Sequence, residues 1–145
     1  MFARYLFIAV MLIGQGWVAG SASADVVVIV NRESTIAGLS TSVVSDLYLG
    51  RLRSLPNGAP AIPIDRKFDS PLRERFFRLL NGMSARQVNT YWARLQFSGQ
   101  VLPPPSLDDD KAVISALRGN PAAIGYIDAS SIDASVRIVL HLKDG

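Results

Sequence analysis

Val26-Val27-Val28-Ile29-Val30 sets five β-branched residues in a row. Side chains branched at Cβ crowd the preceding turn of a helix but pack well on a pleated surface. Successive strand residues point to opposite faces. A run that is apolar at every position therefore suits a strand buried on both faces, inside a sheet that other elements cover from two sides.

The rest of the chain supplies those covers. Ser40 is a good N-cap for a helix with Val43, Val44, Leu47 and Tyr48 on one face, and Gly50 is a good stop. Ala61 to Ile64 reads as a short second strand ending at Asp65-Arg66, after the turn at Pro56-Asn57-Gly58. Ser70-Pro71 combines an N-cap with proline at the first helical position, where its missing N–H costs nothing. That helix turns Leu72, Phe76, Phe77, Leu79 and Leu80 inward and Arg73, Arg75 and Arg78 mostly outward, and ends at Asn81-Gly82. Ser84 to Gln87 forms a capping box for a further helix. Its Val88, Tyr91, Trp92 and Leu95 recur at helical spacing and read as core.

Ser98 to Ser106, with Pro103-Pro104-Pro105, reads as a loop. Asp108, Asp109 and Asp110 read as the first turn of another helix, where acids complement the helix dipole, rather than as a cation site. Ala123 to Ile127 and Val136 to Leu142 read as strands, the second placing His141 as a partly buried residue. Strands alternating with helices make one α/β domain, with a small mixed sheet of about four strands flanked by helices.

The total of 145 residues allows one ordinary domain. The first 24 residues have the form of a secretory signal peptide: Arg4, an apolar run from Tyr5, and Ala22-Ser23-Ala24 as the cleavage site. Only 16 residues lie between Arg4 and Ser21, short of the ~20 that span a bilayer. The expectation is cleavage after Ala24. The mature domain, 25–145, would then be periplasmic, with no membrane insertion.

The absence of Cys excludes a thiolate nucleophile and Cys-ligated metals. A single His excludes a multi-His metal centre. No cofactor, metal or enzymatic activity is expected. Residues 51–94 carry nine Lys/Arg against Asp65, Asp69 and Glu74, whereas the remainder of 25–145 is net acidic. Such a local positive field attracts anions. Nucleic acid is a poor partner for an exported chain of modest charge.

The segment from Asp65 to Leu72 is where binding chemistry concentrates. A strand delivers Arg66 to its carboxyl end, beyond which open α/β sheets bind ligands. Four residues later a helix opens, offering unpaired N–H groups to an anion. Arg66 adds a charged fork that can hold two oxygens of an oxyanion. Ser70 either donates its hydroxyl or caps its own helix. Read structurally, Arg66 pairs with Asp65 or Asp69 and Ser70 only caps; residue chemistry leaves the two readings even.

Four stretches in order resemble the substrate-binding proteins of phosphate ABC transporters, within the type 2 periplasmic binding proteins. Leu39 to Arg51 resembles a helix ending in an I-F-x-G-K signature, and Ile64-Asp65-Arg66 to Ser70 the v-x-R-x-x-x-S-G-T anion loop. Phe76 to Leu80 resembles the helix after that loop, and Asn120 to Ile127 the p-g-a-I-G-Y strand. The resemblance implies a single lobe of such a protein, with Arg66 and Ser70 binding a phosphate-like oxyanion beside Asp69. The family's Gly and Thr are Pro71 and Leu72 here. The two replacements remove one N–H and one hydroxyl, at roughly 1.5–3 kcal/mol for each bond to a charged group.

The matching stretches belong mainly to one lobe, and a single lobe cannot trap an anion by hinge closure. Asn31, Ser34 and Thr35, in the loop after the first strand, are the candidates to replace the missing half of the pocket. The expected function is an exported, non-enzymatic binder of inorganic phosphate or a similar oxyanion. The alternative is a ligand-free module that docks on an envelope sensor, transporter or porin.

Overall fold

The computed structural model describes residues 25–99 and 101–144; the expected signal segment, residues 1–24, lies outside them. Strand β1 (Val26–Asn31) is buried along its whole length. Its alternation divides the interior into two cores. Val26, Val28 and Val30 join the larger core, and Val27 and Ile29 the smaller. The elements are α1 (Thr41–Tyr48), β2 (Ile62–Pro63), β3 (Asp65–Arg66), α2 (Pro71–Asn81), α3 (Ala85–Phe97), β4 (Ser106–Leu107), α4 (Asp110–Gly119), β5 (Ala123–Asp128) and β6 (Val136–Leu142). Helices α1, α2 and α3 cover one face of the sheet, and α4 covers the other.

The main sheet is mixed, in the order β2-β5-β1-β6. β1 is antiparallel to β5 and β6, and β2 is parallel to β5. The register shifts between Val28 and Ile29 opposite β6, where Val28 faces Leu140 and Ile29 faces Ile138. Val139, left out of that pairing, accepts from the Leu39 N–H at 2.8 Å. The bulge lets Val139 and Leu142, three residues apart, face the same core, while Val136 faces the other.

All four long helices start as their caps dictate. Ser40, Ser70, Ser84 and Asp109 each accept from a backbone N–H three residues on, and Ser84 with Gln87 completes the capping box. Of the three aspartates expected in a first helical turn, Asp109 caps α4 and Asp110 begins it, while Asp108 lies just ahead of the cap.

The second strand departs from expectation. In place of one strand from Ala61 to Ile64, residues 62–66 pass from the main sheet into a separate parallel pair, β3 with β4. Alternate N–H groups of an extended chain point to opposite edges. Those of Ile62 and Ile64 reach the carbonyls of Ala122 and Ile124, and that of Asp65 reaches the carbonyl of Pro105. Pro63 has no N–H to offer on the Pro105 side, so the second ladder begins only at Asp65. The stretch expected as a loop through Ser106 thereby ends in β4.

An aromatic cluster holds this crossing in place. Tyr126 of β5 stacks on Phe76 of α2 with centroids 3.7 Å apart, and Tyr48 of α1 meets Phe76 edge-on at 5.0 Å. The Tyr48 hydroxyl donates to the carbonyl of Ile64 at 2.9 Å. Tyr91 and Trp92 read as core from spacing: Trp92 is buried, and Tyr91 is half-buried with its hydroxyl donating to Leu49 O at 2.7 Å. Among the described residues no helix is long and apolar enough to cross a membrane.

Candidate functional site

β3 delivers Arg66 to the carboxyl end of the sheet, but into the interior rather than onto the surface: the residue is 5% exposed. Its Nη2 donates to Oδ1 of Asp110, and its Nη1 lies 3.4 Å from the Asp108 carbonyl. The Arg66 Nε–H is buried with no hydrogen-bond partner. Burial pulls the guanidinium below its usual pKa, though arginine at so high a starting value stays charged.

Asp65, beside it, is equally buried and gathers three donors. Oδ1 accepts from the Arg66 N–H at 2.8 Å and from the Tyr126 hydroxyl at 2.5 Å, and Oδ2 from Arg73 Nε at 3.1 Å. Arg73, expected outward, is 4% exposed. The correction follows from helical spacing: Arg73, Phe76, Phe77 and Leu80 form the i, i+3, i+4, i+7 face of α2 that is buried. A charge on that face needs a partner, and Asp65 provides one. Burial, then the Asp65 charge, push the hydroxyls of Tyr48 and Tyr126 well above the usual tyrosine pKa, so both remain protonated donors.

Ser70 stands half-buried at the start of α2, its Oγ accepting from the Arg73 N–H at 3.4 Å. Capping uses an acceptor lone pair and leaves the hydroxyl proton free to donate. Asp69 is exposed. Asp69 and Ser70 thus stand at the N-terminus of α2, whereas the Arg66 guanidinium reaches the start of α4, at Asp108 and Asp110.

Asn31, Ser34 and Thr35 are not part of that group. Val30 pairs with Ile124, near the start of β5, whereas the Asp110 carboxylate that holds Arg66 also receives the backbone N–H of Asp128, at its end. Four residue steps at ~3.3 Å each put roughly 13 Å between the two positions. Asn31 there bonds the Leu117 carbonyl at 2.7 Å, tying β1 to the end of α4. Ser34 Oγ accepts from Ile36 N–H at 3.2 Å, and Thr35 is exposed.

An open groove of about 530 Å³ runs over Arg66, Leu72, Asp108 to Lys111, Asp128 and Ser131. Four carboxylates against two cations make its field negative, although it adjoins the basic segment. Much of that segment's charge is compensated internally: Lys67 bridges Asp108 at 3.0 Å, Arg51 lies 3.6 Å from Asp46, and Arg75 and Arg78 lie 3.5 and 3.8 Å from Asp144. His141, expected partly buried, is an exposed residue whose Nε2 sits 2.7 Å from Asp25. β6 is an edge strand, and its side chain leans out to meet a carboxylate. Among the described residues no group of three or more His, Asp or Glu side chains is arranged to hold a metal ion.

Sequence reasoning missed the roles of Asp110, Arg73 and Tyr126, yet each left a signal. Only one of three consecutive aspartates was needed as a cap. Arg73 shares the spacing of Phe76 and Phe77. A tyrosine inside a buried strand requires a partner for its hydroxyl.

No family model matches the sequence, and no curated protein matches it either. Solved structures do resemble it. A Clostridium perfringens chain assigned as a phosphate ABC transporter substrate-binding protein, with phosphate bound, superposes at a TM-score of 0.64 and 21% identity, over 80% of this chain and 44% of that one. An ABC-type phosphate transport receptor from Vibrio cholerae gives 0.62 and 17%, over 80% and 45%. PstS from Borrelia burgdorferi gives 0.60 and 16%, over 80% and 46%. The chain thus spans less than half the length of the structures it matches. At such identities the likeness is one of fold: this chain carries the α/β fold of a single lobe of the phosphate ABC transporter substrate-binding proteins.

Proposed function

We propose that the chain is an exported, non-enzymatic binding module for a phosphate-like oxyanion, with Arg66 and Ser70 as its principal ligand donors and Asp69 at the rim. The observation that carries this reading is the buried Arg66 guanidinium, with an unpartnered Nε–H, on the chain segment that leads into the serine-capped helix α2. The fold shared with phosphate-transport proteins supports the ligand class. Affinity is modest, because Pro71 lacks an N–H, Leu72 lacks a hydroxyl, and the groove holds four carboxylates.

Calorimetric titration of residues 25–145 with phosphate and sulfate tests the reading, using wild type, Arg66→Lys and Arg66→Ala, each shown to be folded by circular dichroism. Loss of binding in the alanine variant is expected. Equal heats in all three would remove Arg66 from the function. Export to the periplasm is part of the same proposal, and N-terminal sequencing of protein from the periplasmic fraction should begin at Asp25.

The Arg66–Asp110 pair favours a second reading, since an arginine already paired needs no ligand. The domain would then dock on an envelope membrane protein through Arg53, Arg86 and Arg94, which have no acidic partner among the described residues. Co-purification released by salt would support it.

A further inference from the structure

The carboxylate of Asp110 stands where an incoming oxyanion would have to stand. It contacts the terminal nitrogen Nη2 of Arg66 through one oxygen only, Oδ1. Its other oxygen, Oδ2, is held independently, by the Ser131 hydroxyl at 2.6 Å and the Asp128 N–H at 3.3 Å. The contact to Arg66 is therefore single, although the guanidinium can hold two oxygens at once. Arg66 retains donor capacity besides, since its Nε–H is buried and unpartnered, as is Nη1 of Arg73, the neighbouring cation on Asp65. The groove opens onto both members of the pair, and Asp110 is 21% exposed.

We infer that Asp110 is a built-in occupant of the Arg66 anion fork, a tethered carboxylate that an external phosphate or sulfate binds only by displacing. This rests on the oxyanion reading above and adds what controls its affinity. A buried arginine cannot be left without an anion, and a tethered carboxylate meets that need at no cost in bimolecular association. Displacement need not unfold the α4 terminus, because the bonds from Ser131 and Asp128 keep Asp110 in place while Oδ1 gives up Nη2. Asp110 thereby sets a concentration threshold for the ligand. An Asp110→Asn change keeps the shape and removes the competing charge, leaving Arg66 in need of an outside anion.

Phosphate and sulfate titrations at constant ionic strength, by calorimetry and by thermal denaturation, should be run on wild type, Asp110→Asn, Asp110→Ser and Asp109→Asn. The last removes the same charge from the groove and acts on Arg66 through its charge but makes no hydrogen bond to it, and asparagine caps a helix as well as aspartate does. Asp110→Asn and Asp110→Ser should bind phosphate about tenfold to a hundredfold more tightly than wild type, the value of one charge-assisted bond. Asp109→Asn should gain clearly less.

Equal gains at 109 and 110 would reduce the effect to the general field and overturn the inference. Wild type binding through Arg66 with no gain in either 110 variant would overturn it too, while leaving the oxyanion reading intact. Binding by no variant would remove both. A 110 variant that does not fold in chloride should regain its cooperative transition in phosphate; failure to do so counts against the inference.

Discussion

The hydroxyl of Tyr126, on β5, donates a 2.5 Å hydrogen bond to Oδ1 of Asp65, the residue immediately before Arg66. Through that bond the central sheet holds the loop in which Arg66 and Ser70 stand. The same carboxylate holds Arg73 of α2 through its other oxygen. Strand β5, the crossing segment and the helix after it are thus locked by one residue, which is 5% exposed.

Removing that carboxylate should be severe. Asp65→Ala leaves the Arg73 charge buried and unpaired, and a broken buried pair costs about 3–5 kcal/mol. Urea unfolding should show a loss of that size. The double variant Asp65→Leu/Arg73→Met should lose less than the sum of its two singles, because the two side chains act as a unit.

Alkaline stability depends on the two buried tyrosines. A tyrosine hydroxyl in an unfolded chain ionises at about pH 10, and burial holds both of these well above that value in the folded protein. Beyond that pH the unfolded chain therefore binds fewer protons than the folded one, and stability falls as pH rises. The slope is about 1.4 kcal/mol per pH unit for each tyrosine. Melting temperature should be insensitive to these groups up to about pH 10 and fall above it, with Tyr48→Phe removing about half of that alkaline dependence.

Helix α4 approaches β5 over a glycine. A Cβ built on Gly125 would lie 2.5 Å from Cγ1 of Val113 and 3.5 Å from Cδ1 of Leu117. Gly125→Ala should cost about 1–3 kcal/mol through overpacking. Adding Val113→Ala should recover part of it in the same denaturation assay, since the freed volume accepts the new methyl.

Pro71 and Leu72 are where the proposed anion loop departs from the phosphate-type pattern it resembles. Pro71→Gly restores an N–H at the helix terminus, and Leu72→Thr restores a hydroxyl. Each such donor adds roughly 1.5–3 kcal/mol to a bound anion when well aligned. The double variant should bind phosphate at least about tenfold more tightly by calorimetry. Its folded state should be less stable, since glycine at the first helical position loses more backbone entropy than proline.

Local patterns carried much of the architecture. Five β-branched residues made β1 a strand buried on both faces, Ser70-Pro71 and the Ser84–Gln87 box started α2 and α3, and Gly82 ended α2 in the left-handed conformation that glycine tolerates. The order of motifs from Leu39 to Ile127 pointed to a binding-protein lobe. These signals are readable because each depends on residues at most a few positions apart.

The partners of the charges were decided elsewhere. Arg66 pairs with a carboxylate 44 positions on, and Tyr126 with one 61 positions back. Spacing along the chain says nothing about such distances; the register of β5 with β2 and the helix crossings set them. Once Arg66 and Arg73 are buried, each requires a counter-charge within hydrogen-bond reach, and the folded chain offers Asp110 to one and Asp65 to the other. Local pattern alone put an arginine at the end of a strand, four residues ahead of a helix cap. That its guanidinium already holds an anion of the chain's own was set by packing, because desolvation makes an unpaired buried guanidinium untenable.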